Sequence, residues 1–146
     1  MERNVLITGA STGIGAACAL HMDKLGWRVF AGVRREADGE ALRQQASERL
    51  TPVRINVTDE ASIREAAAQI AAATGEAGLQ GLVNNAGVSI AGPLEFLPID
   101  ELRRQIEVNV IGQVAVTQSP SRSTATSTGG GQPSSGTPSQ SSSIPS

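Results

Sequence analysis

The sequence has 146 residues, 39% of them hydrophobic and 18% charged, with a formal net charge of −2 and a single cysteine. That length holds one domain of ordinary size. The charge balance excludes nucleic-acid or anionic-membrane binding driven by bulk charge, and the lone Cys18 excludes an internal disulfide or a multi-cysteine zinc site. No apolar run approaches the ~20 residues of a membrane span, and the run near the N-terminus is too short for a signal-peptide core. The expectation is a cytoplasmic protein with no metal, nucleic-acid or membrane partner.

In chain order, "NVLIT" (Asn4 to Thr8) is a short apolar run closed by glycine, the form of a strand buried on both faces. A helix is predicted from Thr12 to Leu25, with Ile14, Cys18, His21 and Leu25 on its apolar stripe and Gly26 as its terminator. "WRVFAGV" gives a second strand and "EADGEALRQQASERL" a polar helix. "TPVRINV" gives a third strand, and "DEASIREAAAQIAAATG" an Ala-rich helix ended by glycine. "LQGLVNNAG" supplies a fourth strand and its turn. Past Pro93 and Pro98, one further helix is predicted from an N-cap at Asp100, with Leu102, Ile106, Asn109, Gln113 and Val116 on one face. The alternation predicts an α/β fold, a Rossmann-like doubly wound parallel sheet that is incomplete at about four strands.

The turn "ITGASTGIGAA" joins the first strand to the first helix with Gly9, Gly13 and Gly15 at G-x-x-x-G-x-G spacing. Gly9 allows a tight exit from the strand, Gly13 lets backbone approach a pyrophosphate, and Gly15 lets the helix lie against the sheet. Phosphates would face the free N–H groups and positive dipole end of the helix, with Ser11 and Thr12 adding hydroxyl donors and Ile14 following. No Gly-Lys-Ser/Thr follows, which disfavours a nucleoside-triphosphate loop. At the end of the second strand, the place of the acid that holds a ribose in NAD-binding folds, stand Gly32 and Val33, followed by Arg34 and Arg35. Either arginine suits a 2′-phosphate, so the expected cofactor is NADP in preference to NAD.

With this turn, "NNAG" and "EVNV" in view, the chain resembles the short-chain dehydrogenase/reductase family over Met1 to about Gln118, roughly the first half of a typical member. The family's Thr-Gly-x-x-x-Gly-x-Gly corresponds to Thr8, Gly9, Gly13 and Gly15, and its Asn-Asn-Ala-Gly to Asn84, Asn85, Ala86 and Gly87. Its helix asparagine corresponds to Asn109. The resemblance implies that Asn85, Ala86 and Gly87 line the adenosine side of a cofactor cleft. It also implies that Asn109 anchors a water relaying protons to a catalytic lysine. Members often carry Asp for the adenine at the end of the third strand; here Asn56 stands there, followed by Val57, and its amide oxygen would accept from the adenine amino group.

The same resemblance implies hydride transfer between a nicotinamide dinucleotide and a small alcohol or ketone, with Tyr, Lys and Ser as the reacting set. The sequence contains no tyrosine, and a phenol needs a cationic neighbour to act as a base near neutral pH. From Ser119 to Ser146 the chain is Ser, Thr, Gly and Pro with only Ile144 as a large aliphatic, and it is expected to be disordered. The expected organisation is a dinucleotide-binding half-domain over 1–118 and a low-complexity tail over 119–146. The first reading of function is a truncated or frame-shifted NAD(P)-dependent oxidoreductase. The second is a non-catalytic NAD(P)-binding or regulatory protein. The wording around "FAGVRR" and "GPLEF" looks like the retinol and hydroxysteroid branch of the family.

Overall fold

The computed structural model describes residues 2–125, with side chains through residue 119. Strands β1 (Asn4–Ile7), β2 (Arg28–Val33), β3 (Leu50–Arg54) and β4 (Gly81–Val83) form one parallel sheet in the order β3-β2-β1-β4. Helices α1 (Gly13–Lys24), α2 (Glu36–Arg43) and α3 (Glu60–Thr74) connect them. After β4 come α4 (Ile99–Ile106), a π-helical turn (Glu107–Ile111) and α5 (Gly112–Ala125). The last helix thus runs beyond Gln118; the remainder of the expected tail, 126–146, lies outside the described residues.

Period-two alternation in the strands builds the two layers. Val5, Ile7, Val29, Ala31 and Val33 face Ala19 of α1 and Leu42 of α2. Leu6, Phe30, Val53 and Ile55 face Ile63, Ala66 and Ile70 of α3 and Val116 of α5. Burying a large apolar side chain completely is worth about 1.5–3 kcal/mol, so Phe30 and Ile7, both 0% exposed, anchor the two faces. Among the described strands β3 pairs only with β2, and it is there that Pro52, which has no N–H to give a ladder, is tolerated. Asp59 caps α3 by accepting from the N–H groups of Ala61 (3.0 Å) and Ser62 (3.4 Å).

Three local expectations are corrected. The apolar stripe of α1 is not Ile14, Cys18, His21 and Leu25, for Ile14 is 82% and Leu25 55% exposed. The buried positions are Gly15, Ala19 and Asp23, because small side chains let the helix approach the sheet more closely than a row of large ones would. The last helix begins at Ile99 after Pro98, so Asp100 lies inside its first turn and is not the cap. Nor is it one continuous helix. The π turn inserts a residue and rotates the face, leaving Leu102 and Ile106 exposed while Val116 is buried. Gly112, at its end, is so close to the loop after β3 that a Cβ there would stand 2.7 Å from the Val57 carbonyl oxygen.

Asp23 ties α1 to the loop before β3. Its carboxylate accepts from the Ser47 N–H at 2.9 Å and the Ser47 hydroxyl at 2.5 Å while only 4% exposed. Asp23→Ala strands both donors and is expected to lower the unfolding free energy by about 2 kcal/mol. Urea melts read this as a lower midpoint at unchanged slope; an unmoved midpoint would show the clip to be neutral.

Candidate dinucleotide site

Two turns leave the C-terminal ends of adjacent strands β1 and β4, and they are fastened to each other. Thr8, fully buried, accepts through Oγ1 from the backbone N–H groups of both Asn85 and Ala86, each at 3.0 Å. The Asn85 side-chain amide donates to the Gly9 carbonyl at 3.0 Å. Gly9 sits at φ +64°, and a Cβ there would stand 2.7 Å from Ala86 Cα. Gly15 is tighter still: an added Cβ would overlap the Gly9 carbonyl and the Asn85 amide. The first turn of α1 is therefore laid directly on the loop that feeds it, and only glycine permits this.

Gly13, by contrast, has nothing within 4 Å of where its Cβ would be. It opens α1, whose first N–H groups have no intrahelical partner; Thr12 at the cap position makes no side-chain bond to them. An anion can therefore approach this end of the helix both sterically and electrostatically. In front lies a cleft of about 660 Å³ that brings together Gly9, Ser11, Thr12, Ile14, Arg34, Asn56, Val57, Asn85, Ala86 and Gly87. Its size is that of a small-molecule or cofactor site. These residues fit a dinucleotide: an open glycine and helix terminus for the pyrophosphate, hydroxyls beside it, and a cation at the end of β2.

The two arginines separate. Arg35 is clamped by Asp38 through two bonds of 2.9 and 3.1 Å, whereas Arg34 lines the cleft. Asn56 Oδ1 accepts from both the N–H (3.1 Å) and the hydroxyl (2.8 Å) of Thr58, so both its lone pairs are engaged locally. Asn84 braces β4 against α5 by donating to Thr117 Oγ1 at 2.9 Å. Asn109, in the π turn, turns its side chain to the loop segment after "NNAG". Oδ1 accepts from the Val88 N–H at 2.9 Å, and Nδ2 donates to the Val88 carbonyl at 2.7 Å.

Gly15 and Asn109 thus support the cleft from behind and Gly13 opens beside it, while Thr58, Val88 and Arg104 line it unannounced by any motif, together with Glu107 and Val108 of "EVNV". The signal for the last three was available: 104, 107 and 108 share one helical face. Glu40, whose carboxyl is held below the usual carboxylate range by its hydrogen bond and charge pairing with Arg43, is on α2 and does not line the cleft. His21 is exposed on α1 and Cys18 half-buried; neither reaches the cleft. A second hollow of about 390 Å³, between α3 and α5, is walled largely by aliphatic side chains such as Leu6, Ile63 and Ile70 and offers no helix N-terminus. Among the described residues no group of three or more His, Cys, Asp or Glu could hold a metal ion, and no helix is long and apolar enough to cross a membrane.

The sheet order, the glycine turn and the interlocked "NNAG" turn define a Rossmann-like architecture with a cleft that fits a dinucleotide. The chain belongs to the short-chain dehydrogenase family, whose model matches residues 3–132. It is 40% identical over 114 residues to retinol dehydrogenase 5 of Mus musculus, covering 77% of this chain and 36% of that protein. It is 41% identical over 121 residues to estradiol 17-beta-dehydrogenase 2 of Rattus norvegicus, covering 80% of this chain and 32% of that protein. The crystal structure of NADPH-bound carbonyl reductase from chicken fatty liver matches with a TM-score of 0.74 at 31% identity, over 81% of this chain and 50% of that one. The chain spans about a third of the length of the two dehydrogenases.

Gly15→Ala forces α1 away from the Gly9 carbonyl and is expected to lower stability by about 1–3 kcal/mol, with dinucleotide affinity falling as the cleft opens. Thermal melts and dye-free fluorescence titration with NADPH check the two effects; an alanine variant as stable as the parent would contradict the packing described.

Proposed function

We propose that this chain forms the cofactor-binding part of an NADP-dependent short-chain oxidoreductase that moves hydride between the nicotinamide and an alcohol or carbonyl carbon of a small substrate. The observation that carries this reading is the pinning of the Gly9 turn to the Asn85–Gly87 turn beside an open helix N-terminus. Bound there, the nicotinamide dinucleotide supplies the hydride chemistry. The chain's own residues do the holding. Backbone N–H groups at the start of α1, with Ser11 and Thr12, receive the pyrophosphate, and Asn85, Ala86 and Gly87 bound the adenosine side. Asn56 and Val57 stand at the adenine end, although the bonds from Thr58 leave the Asn56 oxygen without a lone pair for the adenine.

Preference for NADP over NAD rests on Arg34. Asp38 holds Arg35, and the cleft at the end of β2 is lined by the cation Arg34 and by neither Glu36 nor Asp38. The NADPH-bound carbonyl reductase with the same fold supports that choice. Asn109, which the resemblance ties to a proton relay, bonds Val88 through both Oδ1 and Nδ2, and in this reading it holds the loop segment behind the cleft. With no tyrosine in its sequence, the chain binds and orients the dinucleotide without itself protonating a carbonyl. Retinoid and steroid alcohols are the substrate class suggested by the names of the relatives.

The absence of tyrosine also favours a second reading, a non-catalytic NAD(P)-binding or regulatory protein. An alternative reading frame after Gln118 that encodes a strand, a serine and Tyr-x-x-x-Lys would decide for the first. Calorimetric titration of the chain is expected to show NADPH binding more tightly than NADH. Arg34→Ala should weaken NADPH about tenfold, the scale of one lost charge-assisted hydrogen bond, and leave NADH unchanged. A folded chain giving no binding signal with either dinucleotide would sink both readings.

A further inference from the structure

Three side-chain amides on the last helical stretch meet the segment after "NNAG" in regular steps. Gln113 donates through Nε2 to the Ala86 carbonyl. Asn109 exchanges both of its bonds with Val88, at 2.9 and 2.7 Å. Gln105 exchanges both of its bonds with Ile90: the Ile90 N–H donates to Oε1 at 3.3 Å and Nε2 donates to the Ile90 carbonyl at 3.2 Å. Residues 113, 109 and 105 are four apart on the helix, and their partners 86, 88 and 90 are two apart in the loop. Four residues of α-helix advance about 6 Å and two extended residues about 6.6 Å, so the two repeats run roughly in step, with the π turn at Glu107–Ile111 inside the helical one. Burial follows the same rhythm, with Ala86, Val88 and Ile90 partly buried and Gly87 and Ser89 exposed.

We infer that Gln105 and Gln113, with Asn109 between them, act as a surrogate strand edge that holds 86–90 extended, and that the two glutamines are positioning residues for the dinucleotide. In an extended chain, alternate residues direct their N–H and C=O groups to opposite edges. With 86, 88 and 90 committed to the helix, the polar backbone groups of Gly87 and Ser89 are directed the other way, away from the helix. The state of Gln113 supports a positioning role. Its Oε1 is buried without a partner among the described residues, which costs stability; a leucine would fill the same space without that cost. The carboxamide is therefore explained by what its Nε2 holds.

This inference rests on the dinucleotide reading of the cleft. Its test uses the full chain and NADP⁺ as the probe. Gln105→Leu and Gln113→Leu are each expected to weaken NADP⁺ about three- to tenfold, the scale of one or two neutral hydrogen bonds. Gln113→Leu removes the unpartnered Oε1 together with the donor to the Ala86 carbonyl, two opposing effects, so its melting temperature should change little, which separates positioning from a stabilising role. Gln113→Glu should bind weakly relative to the parent at pH 8 and recover toward it as pH falls toward the carboxyl range, about 4–5, because only the protonated acid can donate to the Ala86 carbonyl. Amide hydrogen exchange reads the segment without any ligand: Ile90 should exchange faster in Gln105→Leu. Parent-like affinity in both leucine variants overturns the inference and leaves the proposed function standing. A folded parent that binds no NADP⁺ overturns the proposed function and the cofactor role together, and the Ile90 exchange rate then decides whether the amides hold the segment. An unchanged rate overturns the inference outright.

Discussion

The buried hydroxyl of Thr8 is the constraint on which the site depends. Two backbone N–H groups, from Asn85 and Ala86, converge on its oxygen, and Asn85 returns the tie by donating to the Gly9 carbonyl. Turns that leave neighbouring parallel strands would otherwise be separate loops with their own mobility. Cross-bonded over a fully buried residue, they form one wall of a cleft. The bonds are affordable because each satisfies a backbone group that burial would otherwise leave unpaired.

Everything around that tie concerns how closely backbone can approach backbone. Gly15 lays α1 on the Gly9 carbonyl, and Gly112 lays α5 on Val57. The small residues Gly15 and Ala19 are the buried face of α1, while Ile14 stands out in the cleft. The apolar-stripe expectation failed there because it assumes that a helix is held by large side chains. Close approach reverses the preference: the nearer a helix sits, the less room is left for anything beyond a hydrogen or a methyl group.

The π turn at Glu107–Ile111 does a comparable service for the other wall. It lies within the stretch from which Gln105, Asn109 and Gln113 all meet the same loop segment. Leu102 and Ile106 are exposed, and polar amides occupy the contact. The three motifs of the resemblance were legible because each depends on residues close in sequence. Thr58 and Arg104 carry no such local signature; the loop after β3 and the packing of α4 across the end of the sheet bring them to the cleft.

The sequence by itself determined the strand–helix alternation, the parallel sheet and the glycine turn before α1, because these follow from local periodicity and from the conformational freedom of glycine over a few residues. Tertiary structure decided which of two adjacent arginines faces the cleft, since Asp38 reaches Arg35 only once α2 has formed. It also decided that Asn56 spends its oxygen on Thr58 and that Asn109 grips Val88. A hydrogen-bonding group's availability depends on which partner arrives first within about 3 Å, and that is a property of the folded chain.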